Sequence, residues 1–139
     1  MNAVDTNIVL YTFATNEPDK QAKAQLLIQQ LVAARGSALL LWQVLAEAVH
    51  QLRRWKNQGE FSEAEFDQHV QMLRTLLPLA IPSLNVLDHA LDLAKRYSDS
   101  HWDSLILGAC KEAGVTTFYT EDMGAPTNID GIQLVNPLI

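Results

Sequence analysis

The chain holds a single cysteine, Cys110, in 139 residues. An internal disulfide is excluded, and one thiol among four scattered histidines offers no zinc-ligand spacing. Positive charge is scarce as well: ten lysines and arginines stand against sixteen aspartates and glutamates, a formal net charge of −6, and none of the ten follows Lys111. A diffuse electrostatic grip on nucleic acid is thereby excluded, so a polyanionic partner has to be held locally. No apolar run approaches membrane-spanning length. The N-terminus, Met-Asn-Ala-Val-Asp, lacks the basic segment and apolar stretch of a signal peptide, so none is expected. Repeats, low-complexity tracts and linkers are absent too. What is present is 48% hydrophobic and 19% charged, the balance of one domain spanning 1–139 with a sizeable core, expected in a reducing cytoplasm.

Short apolar runs ending in polar residues alternate with longer stretches of helical spacing. This pattern predicts an α/β fold, a parallel sheet wrapped by helices. Ala3-Val4 reads as a strand leading to Asp5, and Ile8 to Phe13 as a helix. A second helix starts at Pro18, where a missing N–H costs nothing, and runs to Gly36. Ala38 to Leu41 is a buried strand, followed by a helix from Trp42 to Asn57 that Gly59 stops. Ser62 and Glu65 form a capping-box signature for a helix ending near Leu77, before Pro78. Leu79 to Ile81 is a third strand. A helix from Leu84 to Tyr97 is expected to turn Leu87, Ala90, Leu91 and Ala94 to one side. Another opens at Ser100 and closes at Gly114. Thr116 to Tyr119 and Ile132 to Val135 are the last strands, with 123–128 between them flexible in composition.

In an open α/β sheet, ligands bind outside the carboxyl ends of the strands. Asp5 and Asp122 end strands there, Asp103 lies in the first turn of the helix opened by Ser100, and Glu47 lies in the second turn of the helix after Leu41. Right-handed crossovers keep the strands pointing one way, so these four carboxylates converge on one edge if the sheet is parallel, and convergence makes a metal site. Each has a plain structural alternative. Asp5-Thr6-Asn7 also reads as a turn or helix cap. Asp103 fits a capping box with Ser100. Asp122 or its neighbour Glu121 can simply end a strand, and Glu47 shares with Gln43, His50 and Arg54 a helix side that is solvated by default.

Five elements taken in order, Val4-Asp5-Thr6-Asn7, Gln43 to Glu47, Trp102 to Ile106, Tyr119 to Asp122 and Val135-Asn136-Pro137, resemble the PIN domain in the form found in ribonuclease toxins of the VapC type. The resemblance spans nearly the whole chain. It implies a PIN-like three-layer α/β/α sandwich with a short parallel central sheet, binding Mg²⁺ or Mn²⁺ and hydrolysing RNA. It also implies Asp5 and Asp103 as principal metal ligands and catalytic residues, with Glu47 and Asp122 completing the set and Glu121 an alternate for Asp122. A small antitoxin protein and a second copy of the chain are the partners implied. The helical pair 42–77, with Trp42, Trp55, Phe61, Phe66 and Met72, offers apolar surface for either.

Oxygen ligands suit Mg²⁺, which keeps several waters and needs only one or two carboxylates. Without metal, crowded like charges should keep at least one carboxyl from ionising normally. Cations for RNA phosphates are expected in Arg53, Arg54 and Lys56; Arg54, seven residues after Glu47, shares its helical face. The alternative for that cluster is a solvated helix C-terminus. Two other readings of the resemblance are an RNA-processing PIN nuclease without antitoxin and a non-catalytic PIN-like module binding RNA or protein. A receiver-like phosphoacceptor is set aside, because it calls for paired acids after the first strand and a late lysine.

Overall fold

The structure, a computed structural model, describes residues 1–139. In chain order the elements are β1 (Asn2–Val4), α1 (Thr6–Tyr11), α2 (Pro18–Ala33), β2 (Leu40–Leu41), α3 (Trp42–Asn57), α4 (Glu63–Leu76), β3 (Leu79–Ala80), α5 (Leu84–Arg96), α6 (His101–Glu112), β4 (Thr117–Tyr119), β5 (Thr127–Ile129) and β6 (Ile132–Val135). One sheet has the order β1-β4-β6-β5, and a two-stranded sheet pairs β2 with β3. A parallel bridge between Asn2 and Ala38 joins the two, with the Asn2 amide donating to Ser37 at 2.8 Å and the Leu39 amide donating to Asn2 at 3.0 Å. Helices flank this parallel-dominated sheet: α1 packs against both α2 and α3, α3 packs against α4, and α5 pairs with α6. The arrangement is the α/β/α sandwich expected.

Val4, Ile8, Leu41, Leu52, Leu107, Phe118 and Leu134 are fully buried and fill the space between sheet and helices. Ser62 and Glu65 close a reciprocal capping box at the start of α4, as their spacing predicts, and Pro78 follows its end. Two features depart from the sequence expectations. The segment after Asp122 contains a strand, β5, which runs antiparallel to β6, with Ile129 opposite Ile132. The two residues between them, Asp130 (φ 52°) and Gly131 (φ 88°), are both left-handed, the backbone of a tight hairpin turn. On α5 the buried side is Val86, Ala90 and Leu93, whereas Leu87 and Leu91 lie outward.

What positions the site is register. β1 pairs with β4 so that Val4 faces Tyr119, and Tyr119 in turn faces Val135 on β6. The next residue on each of the first two strands, Asp5 and Thr120, therefore emerge side by side at the carboxyl edge.

Candidate metal and nuclease site

Asp5 is 6% exposed and does two jobs at once. One carboxylate oxygen caps α1 by accepting the Thr6 amide at 2.7 Å. The other accepts the Thr120 hydroxyl at 2.7 Å. Burial pushes its pKa up to about 6; the carboxylates of Glu47 and Asp122 push the same way, against the two hydrogen bonds. The cap reading of Asp5 is thus correct without excluding coordination, since each carboxylate oxygen keeps a second lone pair.

Glu47 is half-buried, because the first turns of α3 meet α1 there, while His50 and Arg54 farther along the same side are exposed. Its carboxylate accepts the Thr6 hydroxyl at 2.8 Å and the Gln43 amide at 2.8 Å. Gln43 also donates to the Trp102 carbonyl at 3.2 Å, tying α3 to the start of α6. Asp103 lies in the first turn of α6, where its backbone amide donates to the Ser100 hydroxyl at 3.1 Å. No reciprocal capping box forms there, unlike at Ser62, so the Asp103 carboxylate does not cap the Ser100 amide. Burial raises its pKa first; the Ser100 hydroxyl opposes this, and the charges of Asp99, Asp122 and Glu47 reinforce it. Asp122 is exposed, accepts the Asn7 side-chain amide at 2.9 Å, and has its backbone amide fixed by the Thr120 hydroxyl at 3.0 Å.

The four sequence-predicted acids therefore belong to one electrostatic neighbourhood: Asp5 and Asp103 each feel both Glu47 and Asp122. Glu121 does not join them. The Tyr11 hydroxyl donates to its carboxylate at 2.5 Å and the Lys20 ammonium at 3.2 Å, and Lys20 also donates to the Tyr11 oxygen at 3.1 Å. Sequence reasoning missed four contributors: Thr6, Asn7, Asp99 and Thr120. Thr6 and Asn7 immediately follow Asp5, and a hydroxyl or amide beside a functional carboxylate is the signal that could have found them. Asp99 precedes Ser100, the N-cap of α6, and so lies outside the helix; no local pattern marks it.

The donor set fits a hard divalent cation. It is made of oxygens alone, and buried side-chain oxygens of Asn7 and Asp99 have no hydrogen-bond partner. No group of three or more acidic, histidine or cysteine side chains is arranged to hold a metal ion, so an ion here would rest on one or two carboxylates and water, a coordination Mg²⁺ accepts.

The basic cluster is only partly free. Lys56 pairs with Glu63 at 2.7 Å and sits 5.0 Å from the centre of the Phe66 ring. Arg53 lies 5.8 Å from the same ring. Arg54 is exposed, about 10 Å along the helix axis from Glu47 at 1.5 Å per residue. A cleft of about 300 Å³ is lined by Asn7, Tyr11, Gln51 and Trp55 among others and by none of the four acids; it adjoins them through Asn7, which holds Asp122, and Trp55 is one of its walls. Of the other large apolar residues on the α3–α4 pair, Phe66 is core, whereas Trp42 and Met72 are 48% and 45% exposed.

A buried aspartate at the end of β1 that feels the charges of Glu47 and Asp122, with Asp103 at the start of α6 feeling the same two, defines an acid-lined site on a parallel α/β sheet. Residues 3–126 match the PIN domain, and the chain belongs to that family. No curated protein sequence matches it. Three solved structures share the fold. A toxin–antitoxin complex from Klebsiella pneumoniae is 17% identical, with a TM-score of 0.72 over 99% of this chain and 98% of that one. VapBC2 from Rickettsia felis, bound to a DNA fragment from its promoter, is 15% identical, with a TM-score of 0.68 over 96% of each chain. Mycobacterium tuberculosis VapC20, a Sarcin-Ricin loop cleaving toxin, is 14% identical, with a TM-score of 0.66 over 96% of this chain and 99% of that one.

Proposed function

We propose that this chain is a Mg²⁺-dependent endoribonuclease, with Mn²⁺ an alternative ion, and acts as the toxin of a toxin–antitoxin pair in the cytoplasm. The observation that carries the nuclease reading is that Asp5 and Asp103, from distant segments, each lie within reach of the charges of Glu47 and Asp122, with Thr6, Asn7 and Thr120 bonding Asp5, Glu47 and Asp122 to one another's neighbours. The toxin reading is supported by the fold shared with three toxin structures over nearly their full length. Two partner readings go with it: a small antitoxin, on the likeness to toxin–antitoxin complexes, and a second copy, for which Trp42 and Met72 supply exposed apolar surface. No helix is long and apolar enough to cross a membrane.

Asp5 and Asp103 would hold the ion, with Glu47 and Asp122 completing the acidic set. When bound, such an ion lowers the pKa of a coordinated water and offsets charge that grows on phosphoryl oxygens during hydrolysis. The protein's own residues supply placement. Thr120 fixes Asp5 and the Asp122 backbone together, Thr6 fixes Glu47, and Asn7 fixes Asp122. Arg54 is the member of the basic cluster left to meet a phosphate; Arg53 and Lys56 flank it, and Trp55 can stack on a base entering the cleft.

The test is cleavage of single-stranded and stem-loop RNA by purified protein, with Mg²⁺ and with excess chelator, alongside Asp5→Asn and Asp103→Asn. Cutting should require the ion and fall by about a hundredfold or more in each variant, because a charged ligand serves both ion binding and water activation. Undiminished cutting by correctly folded variants would refute the site assignment.

A further inference from the structure

The chain presents two adjacent carboxylates after β4, Glu121 and Asp122, at the mouth of a site that uses one of them. Their surroundings differ sharply. Asp122 is held toward the acids by Asn7. Glu121 is turned the other way and satisfied at both oxygens, one by the Tyr11 hydroxyl and one by the Lys20 ammonium. Asn7 and Tyr11 are four residues apart on α1, hence on one helical face. That face grips the two neighbouring acids separately. Lys20, from α2, lies 4.9 Å from the centre of the Tyr11 ring and bonds to both the phenol oxygen and the carboxylate, closing a three-membered cluster. Its side chain is 40% exposed and that of Glu121 22%, so the cluster sits at the rim and not in the core. A rim ion pair of this kind adds little to stability, and its other effect is on which carboxylate faces the site.

Resting on the proposed metal site, we infer that Lys20 and Tyr11 are positioning residues that withhold Glu121, so that Asp122 alone of the adjacent pair is presented to the acidic cluster. A free Glu121 would be a flexible, competing oxygen donor one residue from Asp122. It would add negative charge where a phosphate has to enter and draw the ion off the position fixed by Asp5. Losing Lys20 therefore weakens neither the charge nor the number of donors available to a cation. It loosens their geometry.

This gives a signature that simple loss of structure does not. Lys20→Met, Lys20→Arg, Glu121→Gln and Lys20→Met/Glu121→Gln are compared with the wild type by two readouts: the rise in thermal midpoint on titration with Mn²⁺, and RNA cleavage at saturating Mn²⁺. Lys20→Met should keep an undiminished Mn²⁺ response yet lose turnover on the order of ten- to a hundredfold, the scale of a misplaced reacting group. Lys20→Arg, which can still pair with the carboxylate, should retain most of the turnover. Neutralising the released acid in the double variant should restore turnover to near that of Glu121→Gln alone. A double variant no better than Lys20→Met, a Lys20→Met variant with wild-type turnover, or a Mn²⁺ response lost together with turnover would overturn the inference. If the wild type itself neither responds to Mn²⁺ nor cuts RNA, the metal-site reading fails and takes this one with it. If the wild type does both and only the rescue fails, the positioning role alone is rejected.

Discussion

At the scale of single residues, the least comfortable group in the molecule is Asp5. Its carboxyl is raised from 3.8 to about 6, chiefly by burial, with Glu47 and Asp122 adding to the effect. An acid whose native pKa exceeds its unfolded value binds more protons when folded, so stability falls as pH rises from about 4 through 6. In chelator at pH 7.5, Asp5→Asn should therefore be more stable than the wild type, by up to about 3 kcal/mol for a two-unit shift. The advantage should fade as the pH is lowered toward 4. Paired urea titrations at the two pH values check this. A variant equal to or weaker than the wild type at pH 7.5 would mean that Asp5 is comfortable as an anion, and the site would lose its reason for wanting a cation.

The residue scale also marks where sequence reading reached its limit. The positions of Asp5, Glu47, Asp103 and Asp122 followed from strand ends and helix starts. What each side chain would touch did not. Ser100 and Asp103 have the same spacing as Ser62 and Glu65, yet only the second pair forms a reciprocal box. Glu121 and Asp122 are adjacent acids with nothing local to tell them apart; Tyr11 and Lys20, which separate their roles, are about a hundred residues away.

Among the elements, legibility tracked the strength of the boundary signal. Helix α3 begins and ends at the residues expected, Trp42 and Asn57. Strand β5 was missed although Asp130-Gly131 between Ile129 and Ile132 is a strong hairpin dipeptide, because the preceding segment is rich in turn formers. Helix α5 shows a different limit. Residues 86, 90 and 93 have helical spacing as good as 87, 90, 91 and 94, and both sides are apolar. Its partner α6 decides. A Cβ placed on Gly108 would come within 2.7 Å of the Val86 carbonyl oxygen and 3.0 Å of the Ala90 nitrogen, so it is the Val86 and Ala90 side that meets α6 at close range. Gly108→Ala should accordingly destabilise the protein, although helix propensity alone favours alanine by about 1 kcal/mol. Thermal denaturation decides between the two effects: a lowered midpoint is expected, and a raised one would mean that the two helices can move apart freely.

For the molecule as a whole, a net charge of −6 is compatible with the proposed polyanionic substrate only if cations at the sheet edge offset it. The register of β1 with β4 and the cap at α1 place Asp5. Glu47 from α3 and Asp122 after β4 act on its charge, and Asp103 on α6 feels the same two. The α/β class and the order of the elements apart from β5 could be read from periodicity and punctuation, as could the places of the four acids at strand ends and helix starts. The burial of Asp5 and the sorting of Glu121 from Asp122 depend on packing between distant segments, which no local pattern encodes. The most direct test is the anomalous difference map of a crystal soaked in Mn²⁺. The account predicts a peak bounded by Asp5 and Asp103, with Glu47 or Asp122 in reach directly or through water. A saturating soak that leaves this edge without a peak while the four carboxylates keep their present hydrogen bonds would contradict it.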